Sequence, residues 1–203
     1  LASYIVSFFS RFGVESPEVP DLLVPTTTSF LLNLLVIAVL PALLEELVFR
    51  YYVLRTLRSY GDGFAVLVSS LLFGLMHGNI AQIPFACLVG VVLGWLYVAT
   101  GRIWISVAVH FANNALSVTL DYLGNYLQPS EQPLFSGWVM LTVGFVGLAA
   151  LLVLFIRRRE LFRFRPSSSW LRPVPRFFAV LRAPVLLTAV LVFILLTVVG
   201  MVS

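Results

Sequence analysis

Apolar residues along this chain do not alternate with polar ones. They run in continuous blocks, and the polar residues collect in short breaks between them. The first full block extends from about Phe30 past Arg50 to near Arg58, behind helix-capping residues at Thr26 to Ser29. Tyr60-Gly61-Asp62-Gly63 reads as a turn. Further blocks cover Phe64 to about His77, Ile80 to Thr100, Ile103 to about Tyr122, Gly137 to Ile156 and Val185 to Val202. Gly78-Asn79 and Gly101-Arg102 break the chain between them. Continuous apolar blocks of this size fit membrane helices, whereas a barrel would show alternation. Only helices or closed barrels satisfy their backbone groups in lipid. The pattern predicts an all-α, polytopic transmembrane helical bundle, a single integral membrane domain over residues 1–203 with about six spans. Leu1 to Phe12 is apolar with one arginine and reads as an interfacial helix or the end of another span. Gly13 to Pro25, with three prolines and three acids, reads as a loop, so a further N-terminal segment is expected.

Composition agrees. The chain is 60% hydrophobic and 11% charged, against about 25% charged in a soluble domain. Its single cysteine, Cys87, excludes an internal disulfide and a cysteine-based metal cluster. The net charge of +4 comes from 13 arginines placed beside or between the apolar blocks. Topology and anionic lipid account for them there, so nucleic acid is excluded as a partner and membrane lipids are expected. Positive-inside bias puts Arg55, Arg58, Arg102 and the basic segment 157–184 in the cytoplasm, ahead of a C-terminal span at 185–202. The acid-bearing segments Glu15 to Asp21 and Asp121 to Glu131 fall on the other side. The basic segment reads as a topology anchor against anionic headgroups.

The polar residues inside the spans are few: Glu45, Glu46, Arg50, His77, His110, Asn113 and Asn114, with Asn33, Gln82 and Asp121 more marginal. A charge at bilayer depth faces a bundle interior or wet cavity and carries function. Glu46 and Arg50 are four residues apart, one helical turn, as are Phe73 and His77, and His110 and Asn114. Adjacent Glu45 points about 100° away from Glu46. Glu46 is therefore expected to pair with Arg50, leaving Glu45 to face the cavity. Pro41, one turn before Glu45, removes a backbone hydrogen bond and frees a carbonyl. Glu45 and His77 each lie about 24 Å along a helix from the turn near residue 61, so a hairpin brings them level. His110 is only about 12 Å beyond the turn at Arg102. It joins them only if the third span is tilted, offset or broken near Pro84.

Several chemistries use such a set. A carboxylate beside a histidine can deprotonate water and later protonate a leaving group, while a second histidine and an asparagine donate to an oxyanion. Two histidines and one glutamate can instead hold a catalytic zinc; Glu45, His77 and His110 would then be its ligands. No His-Glu-x-x-His helix is present. Ser69, Ser70, Ser106 and Ser117 lie in spans, but no nucleophile elbow surrounds them.

Taken in order, Glu45-Glu46-x-x-x-Arg50, Phe73-x-x-x-His77 and His110-x-x-x-Asn114 resemble the three motifs of the CPBP intramembrane proteases, the type II CAAX prenyl endopeptidases and bacteriocin-processing, ABI-like enzymes. The resemblance covers residues 30 to about 122, the expected catalytic core. It implies a glutamate-type or metallo-endopeptidase in which Glu45 and His77 activate water, His110 and Asn114 stabilise the oxyanion, and Glu46 and Arg50 support them. Asn113 offers a second amide one residue early. A membrane-associated or lipidated peptide is the implied substrate, and the inner membrane of a prokaryote the expected location. Two other classes use the same features: a non-catalytic scaffold or bacteriocin-immunity protein, and a proton or metal transporter.

Overall fold

A computed structural model describes residues 26–166 apart from Ala81, together with Phe178 and Leu191. The segment before Thr26, the block at 185–202 and most of the basic segment after Pro166 lie outside the described residues. Five helices follow in order: α1 (Thr27–Tyr60), α2 (Asp62–Met76), α3 (Ile83–Thr100), α4 (Ile103–Gly124) and α5 (Gln132–Arg157). A short 3-10 turn, Arg159–Phe162, closes the described part. Among the described residues every element is helical, as the continuous apolar blocks require.

Thr26 starts α1 with a reciprocal cap. Its hydroxyl accepts from the Ser29 amide at 3.1 Å, and the Ser29 hydroxyl accepts from the Thr26 amide at 2.9 Å. The helix is not uniform. Leu34–Val39 and Leu47–Leu54 are π-helical, and they bracket the regular turns Leu40–Glu46 that carry Pro41, Glu45 and Glu46. The wide turns before Pro41 end with the Leu40 amide on the Leu35 carbonyl, five residues back. The chain thus absorbs the proline by widening the helix. Such π insertions are rare and concentrate at functional sites.

Four helices (α1, α3, α4 and α5) are long and apolar enough to cross a membrane. The second predicted block is different. Helix α2 has 15 residues, about 22 Å, which is short of the roughly 20 residues of a full span. It is instead the interior helix, packed on α3 and on the second half of α1, with nine buried residues including Ser69, Ser70, Phe73 and Gly74. Helix α3 starts only at Ile83, with Pro84 in its first turn, and ends on left-handed Gly101 (φ 67°). Helix α5 starts at Gln132, five residues before the expected Gly137, because Pro133 fits the first turn.

Small residues set the α2–α3 spacing. A Cβ on Gly90 would meet the Cα and Cβ of Ser70 at 3.1 Å, and one on Gly94 would meet Leu54 at 3.2 Å and Val66 at 3.3 Å. Gly90-x-x-x-Gly94 is therefore a small-residue stripe that lets backbones approach in lipid. The chain is inside-out relative to a soluble protein. Its fully buried side chains include Glu46, Arg50, Asp62, Ser69, Ser70 and Ser106, while Leu31, Leu44, Leu88, Leu134 and Phe145 are exposed. No residue of α5 is buried. An apolar surface of that extent belongs in lipid, and the chain is an integral membrane protein.

At the end of the bundle where α1 meets α2, Asp62 accepts from Arg58 Nε at 2.7 Å and from the Arg165 amide at 2.9 Å. Trp95 Nε1 donates to the Leu161 carbonyl at 2.9 Å and stacks on Phe162. The start of the basic segment is thereby fastened to the bundle. Arg165 thereby shares an end of the bundle with Arg58.

Gly90→Ala forces a methyl against the Ser70 backbone, which has little room to yield. It should destabilise the folded chain by about 1–3 kcal/mol. Thermal unfolding in detergent checks this, and an unchanged midpoint would show that the α2–α3 contact is looser than described.

Candidate active site

The site is built where the Glu45–Arg50 stretch of α1 meets α2, α3 and α4. Glu46 and Arg50 are both 0% exposed and lie 3.2 Å apart, Glu46 Oε2 to Arg50 Nε. Those two atoms meet as charges without an aligned hydrogen bond. Arg50 is held by two further contacts: Nη2 donates to the Gly90 carbonyl at 3.0 Å, and the guanidinium sits 4.7 Å above the Phe73 ring. Gly90 thus serves twice, as the close-approach residue and as the acceptor for Arg50. Ser69 donates to the Phe49 carbonyl at 2.9 Å, which ties α2 to the π-helical part of α1.

His110 does reach this level. Its Nδ1 lies 3.0 Å from Glu46 Oε1, and its Nε2 lies 3.8 Å from Glu45 Oε2. Two features close the expected depth gap. The third span is broken at 77–82, so α3 begins late, and α4 is pinned by Ser106, whose hydroxyl donates to the Leu93 carbonyl at 3.0 Å one turn before His110. The π-helical turns 47–54 also place more residues per unit length between Glu46 and the α1–α2 turn. Ionised Glu46 can only accept, so His110 Nδ1 carries the proton in this contact.

His77, the exposed C-cap of α2, turns Nδ1 to the Phe73 carbonyl at 2.9 Å. A carbonyl only accepts, so His77 donates from Nδ1 and keeps Nε2 as the basic nitrogen. Glu45 is half-buried, and its electrostatic neighbours are His110, His77, Glu46 and Arg50. Its Oε2 is buried and makes no hydrogen bond among the described residues, which leaves an acceptor facing His110. Phe73 is the hub. Its ring meets His77 at 5.1 Å, His110 at 5.6 Å and Phe49 at 5.4 Å, edge to face in each case.

Asn114 is drawn to α1. Its Nδ2 donates to the Ile37 carbonyl at 3.0 Å, and its Oδ1 accepts from Asn113 Nδ2 at 3.1 Å. Ile37 is the residue whose carbonyl would accept an amide from position 41 in a regular helix, and position 41 is proline. This carbonyl, one turn before the proline, is met by the site's asparagine.

The serines are committed elsewhere. Ser69, Ser70 and Ser106 each donate to a backbone carbonyl, and Ser117 is exposed. The two histidines face Phe73, Glu46 and Glu45 instead. Both histidines are backed at Nδ1, by a carbonyl or a carboxylate, as ligating histidines usually are. As the side chains stand, however, no three His, Cys, Asp or Glu among the described residues form a group that holds an ion. The set Glu45, His77 and His110 does not fit a metal in this arrangement.

Sequence reasoning missed Gly90, and it named Ser69, Ser106 and Asp62 without the roles they have here. The Gly90-x-x-x-Gly94 pattern was a readable signal for the first. The buried serines carried none, since a serine in a span looks the same whichever carbonyl it meets.

A polytopic helical membrane protein with a glutamate, histidine and asparagine site at its interior is the class these observations define. Residues 27–116, which hold all three motifs, match the family described as type II CAAX prenyl endopeptidase Rce1-like. It is also 26% identical over 157 residues to the Bacillus subtilis (strain 168) protein named "Putative membrane peptidase YdiL". That match covers 70% of this chain and 64% of the relative, so the chain spans less than two thirds of the relative's length. No solved structure matches significantly.

Arg50→Met strands Glu46 in the interior with only His110 beside it. Removing one partner of a buried pair should cost about 3–5 kcal/mol. Detergent unfolding of Arg50→Met against wild type measures it. A loss below that of an average surface change would mean that Glu46 is not anchored by Arg50.

Proposed function

We propose that this chain is an intramembrane endopeptidase that hydrolyses a peptide bond in a membrane-associated or lipidated peptide, with water activated by Glu45 and His77. The observation that carries the reading is the placement of His110 between Glu46 and Glu45, 3.0 Å from one and 3.8 Å from the other. A structural histidine needs one partner. One clamped by a buried ion pair and aimed at a second, incompletely bonded carboxylate is a reaction centre.

The steps follow from the side chains. Glu45 and the Nε2 of His77 supply the basic atoms that take a proton from water as it attacks the scissile carbonyl. The carbonyl oxygen becomes an oxyanion. The second amide hydrogen of Asn114 is one donor for it, the first being engaged by Ile37, and His110 is the other once its Nε2 also carries a proton, its Nδ1–H being held by Glu46. Glu45 then returns its proton to the leaving amine as the tetrahedral carbon collapses. Glu46 holds His110, and Arg50 with the Gly90 carbonyl holds Glu46. The apolar surround lowers the local dielectric, which strengthens each of these interactions. A substrate that reaches such a site arrives through or along the membrane, which favours lipidated or membrane-bound peptides. The arginine-bearing end then faces the cytoplasm of a prokaryotic cell, with the chain in its plasma membrane.

Glu45→Gln keeps shape and removes the base. It should lower kcat by about a hundredfold or more while the unfolding midpoint stays at the wild-type value. Cleavage of a reporter peptide in proteoliposomes is the assay, and full activity in Glu45→Gln sinks the mechanism. Water activation by side chains alone also predicts undiminished cleavage after exhaustive chelation and elemental analysis. Stoichiometric zinc whose removal abolishes turnover would replace this scheme with a metal one.

A further inference from the structure

The third motif explains Asn114 but gives no role to Asn113. Adjacent helical residues do not share a face, so a hydrogen bond between the side chains of residues 113 and 114 requires both amides to turn toward each other. Both are half-buried. The assignment of nitrogen and oxygen is fixed by chemistry. The Ile37 carbonyl can only accept, so the Asn114 atom beside it must be Nδ2. Oδ1 therefore points the other way, and the Asn113 atom that meets it at 3.1 Å must be a donor. Asn114 is gripped at both ends of its amide, by α1 on one side and by its neighbour on the other.

We propose that Asn113 is a positioning residue: its amide, acting with the Ile37 carbonyl, fixes the orientation of Asn114 and so aims the remaining Asn114 N–H. The contact stands on geometry. Only the use made of that N–H, donation to an oxyanion, rests on the peptidase reading above. An asparagine on a helix otherwise samples two amide orientations, one of which presents oxygen where a donor is needed. Asn113 removes the wrong one, because a flipped Asn114 would set its oxygen against the Ile37 carbonyl and its NH2 against that of Asn113.

Two readouts separate this proposal from the function. The first is the Asn114 side-chain NH2 pair in asparagine-15N-labelled full-length chain in micelles, assigned by its loss in Asn114→Ala. Asn113→Ala and Asn113→Asp should both shift this pair and speed its solvent exchange. Unchanged Asn114 resonances in the Asn113 variants overturn the proposal whatever the enzyme does. The second is turnover. Asn113→Asp should lower kcat about ten- to a hundredfold with KM unchanged, and Asn113→Asp/Asn114→Ala should be no slower than Asn114→Ala alone. Multiplying losses in the double variant would mean that Asn113 acts independently of Asn114, which also overturns it. If the resonances shift but wild-type chain cleaves no peptide, the peptidase reading falls and the positioning contact stands.

Discussion

The rest of this structure depends on how one buried ion pair is made tolerable in a membrane. Glu46 and Arg50 are fully enclosed, and desolvating two charges costs more than their mutual attraction returns unless further partners are supplied. Helices α2, α3 and α4 each supply one. Helix α2 brings the Phe73 ring beneath the guanidinium, α3 offers the Gly90 carbonyl, and α4 offers His110 to the carboxylate. The four-helix arrangement is therefore the coordination shell of a charge pair. Moving any of the three partner helices leaves a charge unpaired. Because Phe73 also touches both histidines, the packing that shelters the arginine also sets the spacing of the candidate catalytic groups.

Much of this was legible in the residues. Four-residue spacing placed Glu46 with Arg50. What was not legible has physical causes. The depth of His110 could not be computed from residue counts, because those counts assume regular helices. Here π-helical turns at 34–39 and 47–54 and a late start for α3 change the conversion from residues to ångströms. Likewise α2 carries an apolar sequence suited to a span, yet its 15 residues pack inside the bundle. Hydropathy does not distinguish an apolar neighbour from an apolar solvent. The small residues that decide the matter (Ser70, Gly74, Gly90, Gly94) are distinguishable only by what they allow to approach. The fit of a metal was equally out of reach, since residue type does not fix whether three donors converge.

In lipid, interior polar groups do work that a hydrophobic effect cannot. Apolar side chains gain nothing by leaving lipid for one another, so specificity between helices falls to close backbone packing and to hydrogen bonds on carbonyls. Ser69 on Phe49, Ser106 on Leu93 and Arg50 on Gly90 are all of this kind. Each joins a different pair of helices, and none depends on the length of an apolar side chain. That explains why the serines, which superficially look like nucleophile candidates, are fasteners.

The junction of α1 with α4 shows how helix direction enters. The two run antiparallel, as the Phe30–Tyr122 ring contact at 4.7 Å requires. They touch at two points of the site, Glu46 with His110 and Ile37 with Asn114. Nine residues separate the contacts on α1 and four on α4, about 13 Å against about 6 Å at 1.5 Å per residue. The mismatch is absorbed by side-chain direction. Side chains lean toward the N-terminus of their own helix, and carbonyls point toward the C-terminus. Glu46 therefore leans toward Ile37, while His110 and Asn114 both lean back toward the start of α4, and the Ile37 carbonyl points down to meet Asn114. With the helices parallel, none of these leanings would converge. The His110-x-x-x-Asn114 spacing reads as a motif because an antiparallel partner offers it both a carboxylate and, past a proline, a carbonyl.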